Sequence, residues 1–247
     1  MKLFYFLYSI VVIFKRKYKI KVQRIIEVDS QTKTIWFDIP KNFKWQEGCS
    51  GLFAFDEAFE KFVINLDYLR YFTVARNDEK THLEITMRAP GSNSKFKQKI
   101  MDLKIGDEMI MYNAKKHCPL VRKNKNLVFL SMGIGMVTYK NLFEKFEESS
   151  FNIKSVTSIN VDKHQTNLYK SLYPNVNKYY YPNRVAFFDQ LRTNHLEADN
   201  LFYIVGSEDF LKEMISELKE KGIKDENIII DRSNFLRKRY YKLKRKY

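Results

Sequence analysis

The chain has 247 residues, of which 45% are hydrophobic and 15% aromatic, and its formal net charge is +15. This composition supplies enough apolar side chains for one large or two small domains and excludes global disorder. Residues 1–24 and 235–247 each carry seven Lys or Arg and no acid, which together give 14 of the 15 net charges. The middle of the chain is nearly neutral, so a nucleic-acid-binding surface covering the whole protein is not supported.

The first element is an apolar segment, 3–14, followed by the basic cluster Lys15-Arg16-Lys17. It is shorter than the roughly 20 residues of a membrane-spanning helix, and it lacks the basic leader and cleavage site of a secretory signal. An aromatic, apolar segment beside a basic cluster is typical of an in-plane helix or short anchor at an anionic membrane. The alternative is an additional element packed on the domain that follows, and both interpretations remain open.

From residue 18 the hydrophobic pattern alternates as in β-strands. Several short strands with turn residues between them predict an antiparallel barrel. A helix over 93–103, ended by Gly106, is expected before the last of these strands. The predicted strands cover 18–28, 35–39, 51–55, 69–75, 82–87 and 107–112.

After about residue 120 the pattern changes to uninterrupted apolar strands separated by amphipathic helices, which indicates a parallel sheet covered on both faces. The boundary is expected between His117 and Lys125. The predicted strands cover 126–131, 154–159, 201–205 and 227–230, and the predicted helices surround 139–146, 185–192 and 208–221. The resulting division is an N-terminal segment 1–17, a barrel domain 18–120, an α/β domain 121–235 and a basic tail 236–247.

The first candidate motif lies on one predicted strand, Leu69-Arg70-Tyr71-Phe72-Thr73. Alternate strand residues share a face, so Arg70 and Phe72 point the same way. A guanidinium can pair with a phosphate through its planar fork, and an aromatic ring can stack on a heterocycle. The motif could therefore hold a phosphorylated aromatic cofactor, although on its own it is weak evidence, because such a tetrapeptide occurs often in an ordinary strand.

The second and third motifs offer backbone N–H groups to anions. Gly91-Ser92-Asn93-Ser94 precedes the predicted helix of the barrel domain, where a pyrophosphate would be favoured by the helix dipole. An ordinary helix N-cap is the alternative. Gly133-Ile134-Gly135 follows the first parallel strand, and Gly206 follows the strand 201–205. Glycines there permit close approach of a nucleotide, although a plain strand-to-helix turn is the alternative.

The order of these motifs resembles the ferredoxin-NADP reductase superfamily, in which a flavin-binding barrel precedes a pyridine-nucleotide domain. The resemblance covers most of residues 18–235. It implies that Arg70 pairs with a flavin phosphate, that Phe72 stacks on the flavin and that Thr73, as the catalytic residue, turns its hydroxyl toward the reactive edge. The cofactor-binding residues that it implies are Arg70, Tyr71, Phe72, Thr73, Gly91, Ser92, Asn93, Ser94, Gly133, Gly135 and Gly206.

The chain departs from the family pattern at three points. Phe72 stands where relatives have Tyr. After the glycine pair, the proline of the family's Thr-Pro is absent and Val137 stands where a hydroxyl is common. Val205-Gly206-Ser207 replaces Cys-Gly-Pro. No pair of arginines follows the second parallel strand to bind a 2′-phosphate, so a preference for NADPH has no support in the sequence. A weakened nucleotide site is one consequence of these departures.

The sequence therefore predicts a two-domain α+β protein: an antiparallel flavin barrel followed by an α/β parallel-sheet domain. The implied function is a flavin-dependent NAD(P)H oxidoreductase that passes hydride from nicotinamide to FAD, or to FMN, and electrons on to an acceptor. The second hypothesis is a flavin-binding electron-transfer subunit of a membrane redox assembly without its own NAD(P)H activity. A basic nucleic-acid-binding module explains the tails but leaves the ordered glycines unexplained.

The predicted partners are a nicotinamide nucleotide, an acidic electron-carrier protein and an anionic membrane surface, with no nucleic acid. Only Cys49 and Cys118 are present, at a spacing that fits no redox or metal motif, and the four histidines are scattered. A reducing compartment is the simpler assumption, so a cytoplasmic protein, held at the membrane or free, is expected. No metal site is predicted.

Overall fold

The computed structural model describes residues 16–59, 64–89, 93–116, 118–194, 197–232 and 234–241. The chain divides into two compact units, Met1–Lys116 and His117–Tyr247. The predicted segment 3–14 lies outside the described residues, as do Gly91 and Ser92.

The first unit is a seven-stranded sheet in which every neighbouring pair of strands is antiparallel. The strand order is β4-β3-β7-β1-β2-β6-β5. The edge strands β4 and β5 are joined through Val74, whose N–H donates to the Cys49 carbonyl at 2.9 Å. The sheet is thus a nearly closed barrel, as predicted. Its strands are β1 (Lys17–Asp29), β2 (Thr32–Phe37), β3 (Cys49–Ala54), β4 (Leu69–Thr73), β5 (Ala75–Arg76), β6 (Leu83–Arg88) and β7 (Glu108–Lys116).

Side-chain alternation builds the barrel core. In the first half of β1, Tyr18, Ile20 and Val22 are buried, whereas the lysines between them are exposed. One helix, α1 (Lys95–Met101), packs on this core through Phe96 and Ile100, which are four residues apart and fully buried. Short 3-10 turns at Asp56–Ala58 and Leu66–Tyr68 connect β3 to β4.

The second unit is a five-stranded parallel sheet in the order β10-β9-β8-β11-β12. Its strands are β8 (Lys125–Met132), β9 (Ile153–Val161), β10 (Val176–Tyr181), β11 (Leu201–Val205) and β12 (Ile228–Ile230). Its helices are α2 (Lys140–Glu148), α3 (Arg184–Asn194), α4 (Glu208–Glu220) and α5 (Asn234–Tyr241), with 3-10 turns at Gly133–Tyr139 and Asp225–Asn227.

Helices cover both faces of this sheet, as the uninterrupted apolar strands predicted. On one face Phe187, Leu191 and Phe210 of α3 and α4 are fully buried, and on the other Leu142 and Phe143 of α2 are. Burial on both faces explains why β11 is apolar throughout.

Two elements of this unit were not predicted. β10 is an edge strand with the sequence Val-Asn-Lys-Tyr-Tyr-Tyr and only one fully buried residue, so it lacks the apolar run that marks its neighbours. α5 includes all of the described part of the predicted basic tail, 236–241. It packs on the core through Tyr240 and Tyr241, and the Tyr241 hydroxyl donates to the Ile228 carbonyl at 2.5 Å.

Candidate flavin and nucleotide sites

Arg70 is held in a fixed position on the barrel. Its Nη1 donates to the carbonyls of Leu66 and Leu69, at 2.9 and 2.6 Å, and its Nη2 donates to the Ser94 hydroxyl at 3.3 Å. Two carbonyls thus orient the guanidinium at the start of β4. The structure brings together two predicted site residues that are 24 positions apart in the chain.

Ser94 is the N-cap residue of α1, with extended backbone angles. Its hydroxyl makes no capping bond to the helix and contacts Arg70 instead. The amino-terminal end of α1 and the guanidinium therefore meet at Ser94, and both favour an anion. Asn93, beside them, is exposed, whereas Gly91 and Ser92 cannot be assessed because they are outside the described residues.

The remaining residues of the first motif divide between the two faces of β4. Phe72 shares a face with Arg70, is half-buried, and packs against Phe53 and Phe96 with ring centroids 5.6 Å away in both cases. Tyr71 and Thr73 alternate onto the other face, where Tyr71 is 51% exposed and Thr73 is half-buried. Phe72 thus packs partly into the barrel core, and Tyr71 is the ring that is more accessible to a ligand.

The predicted nucleotide glycines lie at the carboxyl ends of β8 and β11. Gly133 has a left-handed φ of 57°, which starts the 3-10 turn after β8. A Cβ on Gly135 would lie 3.1 Å from Val205, and one on Gly206 would lie only 2.5 Å from Cδ1 of Phe210. Gly135 and Gly206 are therefore required by packing within this unit.

The same two loops flank the topological switch point of the sheet. β8 is the first strand, with β9 on one side and β11 on the other. Ligands of open α/β sheets bind outside the carboxyl ends of the strands at such a point. The structure therefore brings Gly133, Gly135 and Gly206 to the edge where a nucleotide would bind.

A cavity of about 320 Å³ beside β10 was not predicted from the sequence. Burial raises the pKa of Tyr180 to about 12, and its hydroxyl donates to the Leu168 carbonyl at 2.6 Å. Burial lowers the pKa of Lys178, although Glu147 opposes this, and its Nζ donates to the Tyr173 carbonyl at 2.7 Å. The only sequence signal was the run of tyrosines beside a lysine. The cavity is lined by Gln165, Asn167, Lys170, Lys178, Tyr179, Tyr180, Tyr181 and Pro182.

Neither a candidate metal site nor a membrane-spanning helix is found within the described ranges. They contain no group of His, Cys, Asp or Glu able to hold a metal ion. No described helix has the length and apolarity needed to cross a membrane. Cys49 and Cys118 are both buried free thiols, and burial, aided by Asp231, raises the pKa of Cys118.

No protein-family model and no curated protein sequence matches the chain. Solved structures do. Flavohemoglobin from Malassezia yamatoensis with bound FAD and heme is 17% identical, with a TM-score of 0.69 over 87% of this chain and 59% of that one. A ferredoxin NADP+ reductase from Neisseria gonorrhoeae with bound FAD and NADP is 14% identical, with a TM-score of 0.67 over 87% of this chain and 97% of that one.

The siderophore-interacting protein from Acinetobacter baumannii is 11% identical, with a TM-score of 0.72 over 87% of this chain and 89% of that one. The chain thus spans less than two thirds of the flavohemoglobin but nearly the whole length of the other two proteins. These likenesses give the protein the two-domain fold of the ferredoxin-NADP reductase superfamily, in agreement with the resemblance seen in the sequence.

Proposed function

We propose that this protein is a flavin-dependent NAD(P)H oxidoreductase that binds FAD on its barrel. The observation that carries the proposal is the contact of Arg70 with Ser94 at the start of α1, in a barrel with the reductase fold. A dianionic linker fits a site that combines a guanidinium, a hydroxyl and a helix amino terminus. The solved reductase from Neisseria gonorrhoeae has both FAD and NADP bound.

In this proposal Arg70 and Ser94 bind the flavin's phosphates, and the two carbonyls on Nη1 keep the guanidinium from rotating away. Phe72 contacts the flavin with the part of its ring that the core leaves uncovered. Thr73 ends β4 on the opposite face from Phe72, so its hydroxyl lies near the flavin's reactive edge where the flavin extends past the end of the strand. The flavin, when bound, accepts a hydride from nicotinamide and releases electrons to an acceptor, so the protein's part is to position the two rings.

The nucleotide would bind at the carboxyl edge of the parallel sheet. Gly133 opens a loop there, at the switch point between β8 and β11. The cavity beside β10 offers tyrosine rings, two amides and the cations of Lys170 and Lys178. Stacking and charge of this kind suit the base and phosphate of the other half of a dinucleotide.

A second function is favoured by one observation. Gly135 and Gly206 are crowded by Val205 and Phe210, so packing alone accounts for them. This observation favours a flavin-binding electron-transfer subunit of a membrane assembly, without its own NAD(P)H activity. In such a subunit the second unit needs to fold but does not need to bind a nucleotide.

The partner on the acceptor side is proposed to be anionic. Arg16, Lys17, Lys19 and Lys21 are all exposed at the start of β1, and of these Lys19 pairs with Glu108 at 3.4 Å. Such a row attracts an acidic electron carrier or an anionic membrane surface. Flotation with phosphatidylserine vesicles, compared with the salt dependence of electron transfer to an acidic carrier protein, separates these partners.

The test of the main proposal is the absorption spectrum of protein purified with FAD and FMN supplied, before and after anaerobic addition of NADH or NADPH. We expect the spectrum of an oxidised flavin that bleaches when the nucleotide is added. Bound flavin that neither nucleotide reduces would favour the second function. A colourless protein would contradict both.

A further inference from the structure

Three buried oxygens lie together at the carboxyl ends of β8 and β9. Ser131 Oγ, Ser158 Oγ and Asn160 Oδ1 have no hydrogen-bond partner among the described residues. Their residues are 0%, 1% and 2% exposed. Leaving a buried oxygen unpaired costs stability, so a cluster of three calls for a reason other than folding.

The register of the sheet places these groups on one face. Ser131 pairs with Asn160 across the two strands, and Ser158 lies two residues before Asn160. The amino-terminal half of the same face is apolar, with Leu127 and Val156 buried in the core under α2. The polar groups therefore occur only at the end of this face that meets the 3-10 turn Gly133–Tyr139.

Asn160 makes a hydrogen bond that links this cluster to the turn. Its Nδ2 donates to the Gly133 carbonyl at 3.0 Å. Gly133 has a left-handed φ, so it turns the chain from β8 into the loop. The hydrogen bond joins the end of β9 to the loop after β8, which borders the switch point between β8 and β11.

We infer that Asn160 is a positioning residue that fixes the loop Gly133–Gly135 in the shape that receives the nicotinamide nucleotide. The identity of the ligand rests on the proposed function, whereas the ordering of the loop does not. Ser131 and Ser158 add two polar groups near Asn160 on the sheet face beneath the loop. The unpaired oxygens lower the stability of the fold, and they lie at the carboxyl edge of the parallel sheet, where the nucleotide is expected.

The test is Asn160→Leu, which keeps nearly the same shape and removes both the donor and the unpaired oxygen. The matched control is Asn126→Leu. Asn126 lies on β8 at the opposite end of the sheet, where it bonds Asn200 and Ser155 at 3.1 and 2.9 Å. Both variants are compared with the wild type by thermal unfolding, by hydrogen exchange of residues 133–139, and by titration with NADH and NADPH.

We expect Asn160→Leu to be as stable as the wild type, to exchange faster at 133–139, and to bind the nucleotide about two- to tenfold more weakly, as for the loss of one hydrogen bond. Asn126→Leu should lose stability with unchanged exchange in the loop. Unchanged exchange at 133–139 in Asn160→Leu would overturn the inference. A wild type that binds neither nucleotide would contradict the proposed function, while hydrogen exchange would still decide whether Asn160 orders the loop.

Discussion

The two units prepare their candidate sites in opposite ways. In the barrel, side chains from β4 and from the residue before α1 meet at Arg70 and Ser94. In the parallel-sheet unit, the candidate residues are glycines that packing requires, because Val205 and Phe210 occupy the spaces beside Gly135 and Gly206. A glycine at a sheet edge is therefore weaker evidence for a ligand than two polar side chains gathered from separate elements.

The largest effect should come from the core beneath the 3-10 turn Gly133–Tyr139. Phe129 is fully buried, stacks on Tyr203 with centroids 4.4 Å apart, and contacts Tyr139 and Phe143 edge-on. Phe129→Ala should lower the free energy of unfolding by about 3–5 kcal/mol, measured by denaturant unfolding. A loss below about 1 kcal/mol would show that this aromatic cluster contributes little to the stability of the fold.

Gly206→Ala tests whether that glycine serves packing. The new methyl group would lie 2.5 Å from Phe210 Cδ1 and 3.3 Å from Met132 Cβ, so a loss of about 1–3 kcal/mol is expected from overpacking. Adding Phe210→Leu should recover part of that loss. Thermal unfolding of the single and double variants measures this. Wild-type stability with abolished nucleotide binding would assign the glycine to the ligand instead.

The roles of Phe72 and Tyr71 in flavin binding can be distinguished by substituting each ring in turn. Phe72→Leu should cost about 1 kcal/mol, because it removes ring contacts with Phe53 and Phe96, and should weaken flavin binding. Tyr71→Leu, at an exposed position, should change stability by less than about 0.5 kcal/mol. Flavin titration and thermal unfolding provide both readouts. Flavin loss confined to Tyr71→Leu would show that the exposed ring is the one that stacks.

A separate effect is a loss of stability in alkali. Burial raises the pKa of Tyr180 and of Tyr241 from 10.0 to about 12. Between these values the unfolded chain loses phenol protons that the folded protein keeps, so stability is complete below pH 10 and falls as the pH rises toward 12. Denaturant unfolding across this range should show a smaller fall in Tyr180→Phe. An identical fall in that variant would contradict the assignment.

Much of the architecture could be predicted because burial imposes a period on the sequence. The alternation of Tyr18, Ile20 and Val22 marks a barrel strand, and the apolar run of β11 marks a central parallel strand. β10 could not be recognised, because an edge strand of polar and aromatic residues carries neither pattern. The cavity beside it was missed for the same reason.

The candidate site was predictable to a smaller extent. Sequence motifs pointed to Arg70 and Ser94, but only the folded chain shows that they touch. The role of Asn160 leaves no local signal, because it depends on which strand lies beside β8. The proposed binding of a flavin and the parts of Tyr71, Phe72 and Thr73 in it remain predictions.

The most direct test of the account is a binding cycle with FAD, FMN and riboflavin, measured on the wild type, on Arg70→Met and on the control Arg88→Met. Arg88 is a barrel arginine whose Nε donates to Thr32 at 3.0 Å. The account predicts that Arg70→Met weakens FAD and FMN binding about ten- to hundredfold, as for a lost charge-assisted bond, and leaves riboflavin, which has no phosphate, unchanged. An equal loss for riboflavin, or no flavin binding by the wild type, would contradict it.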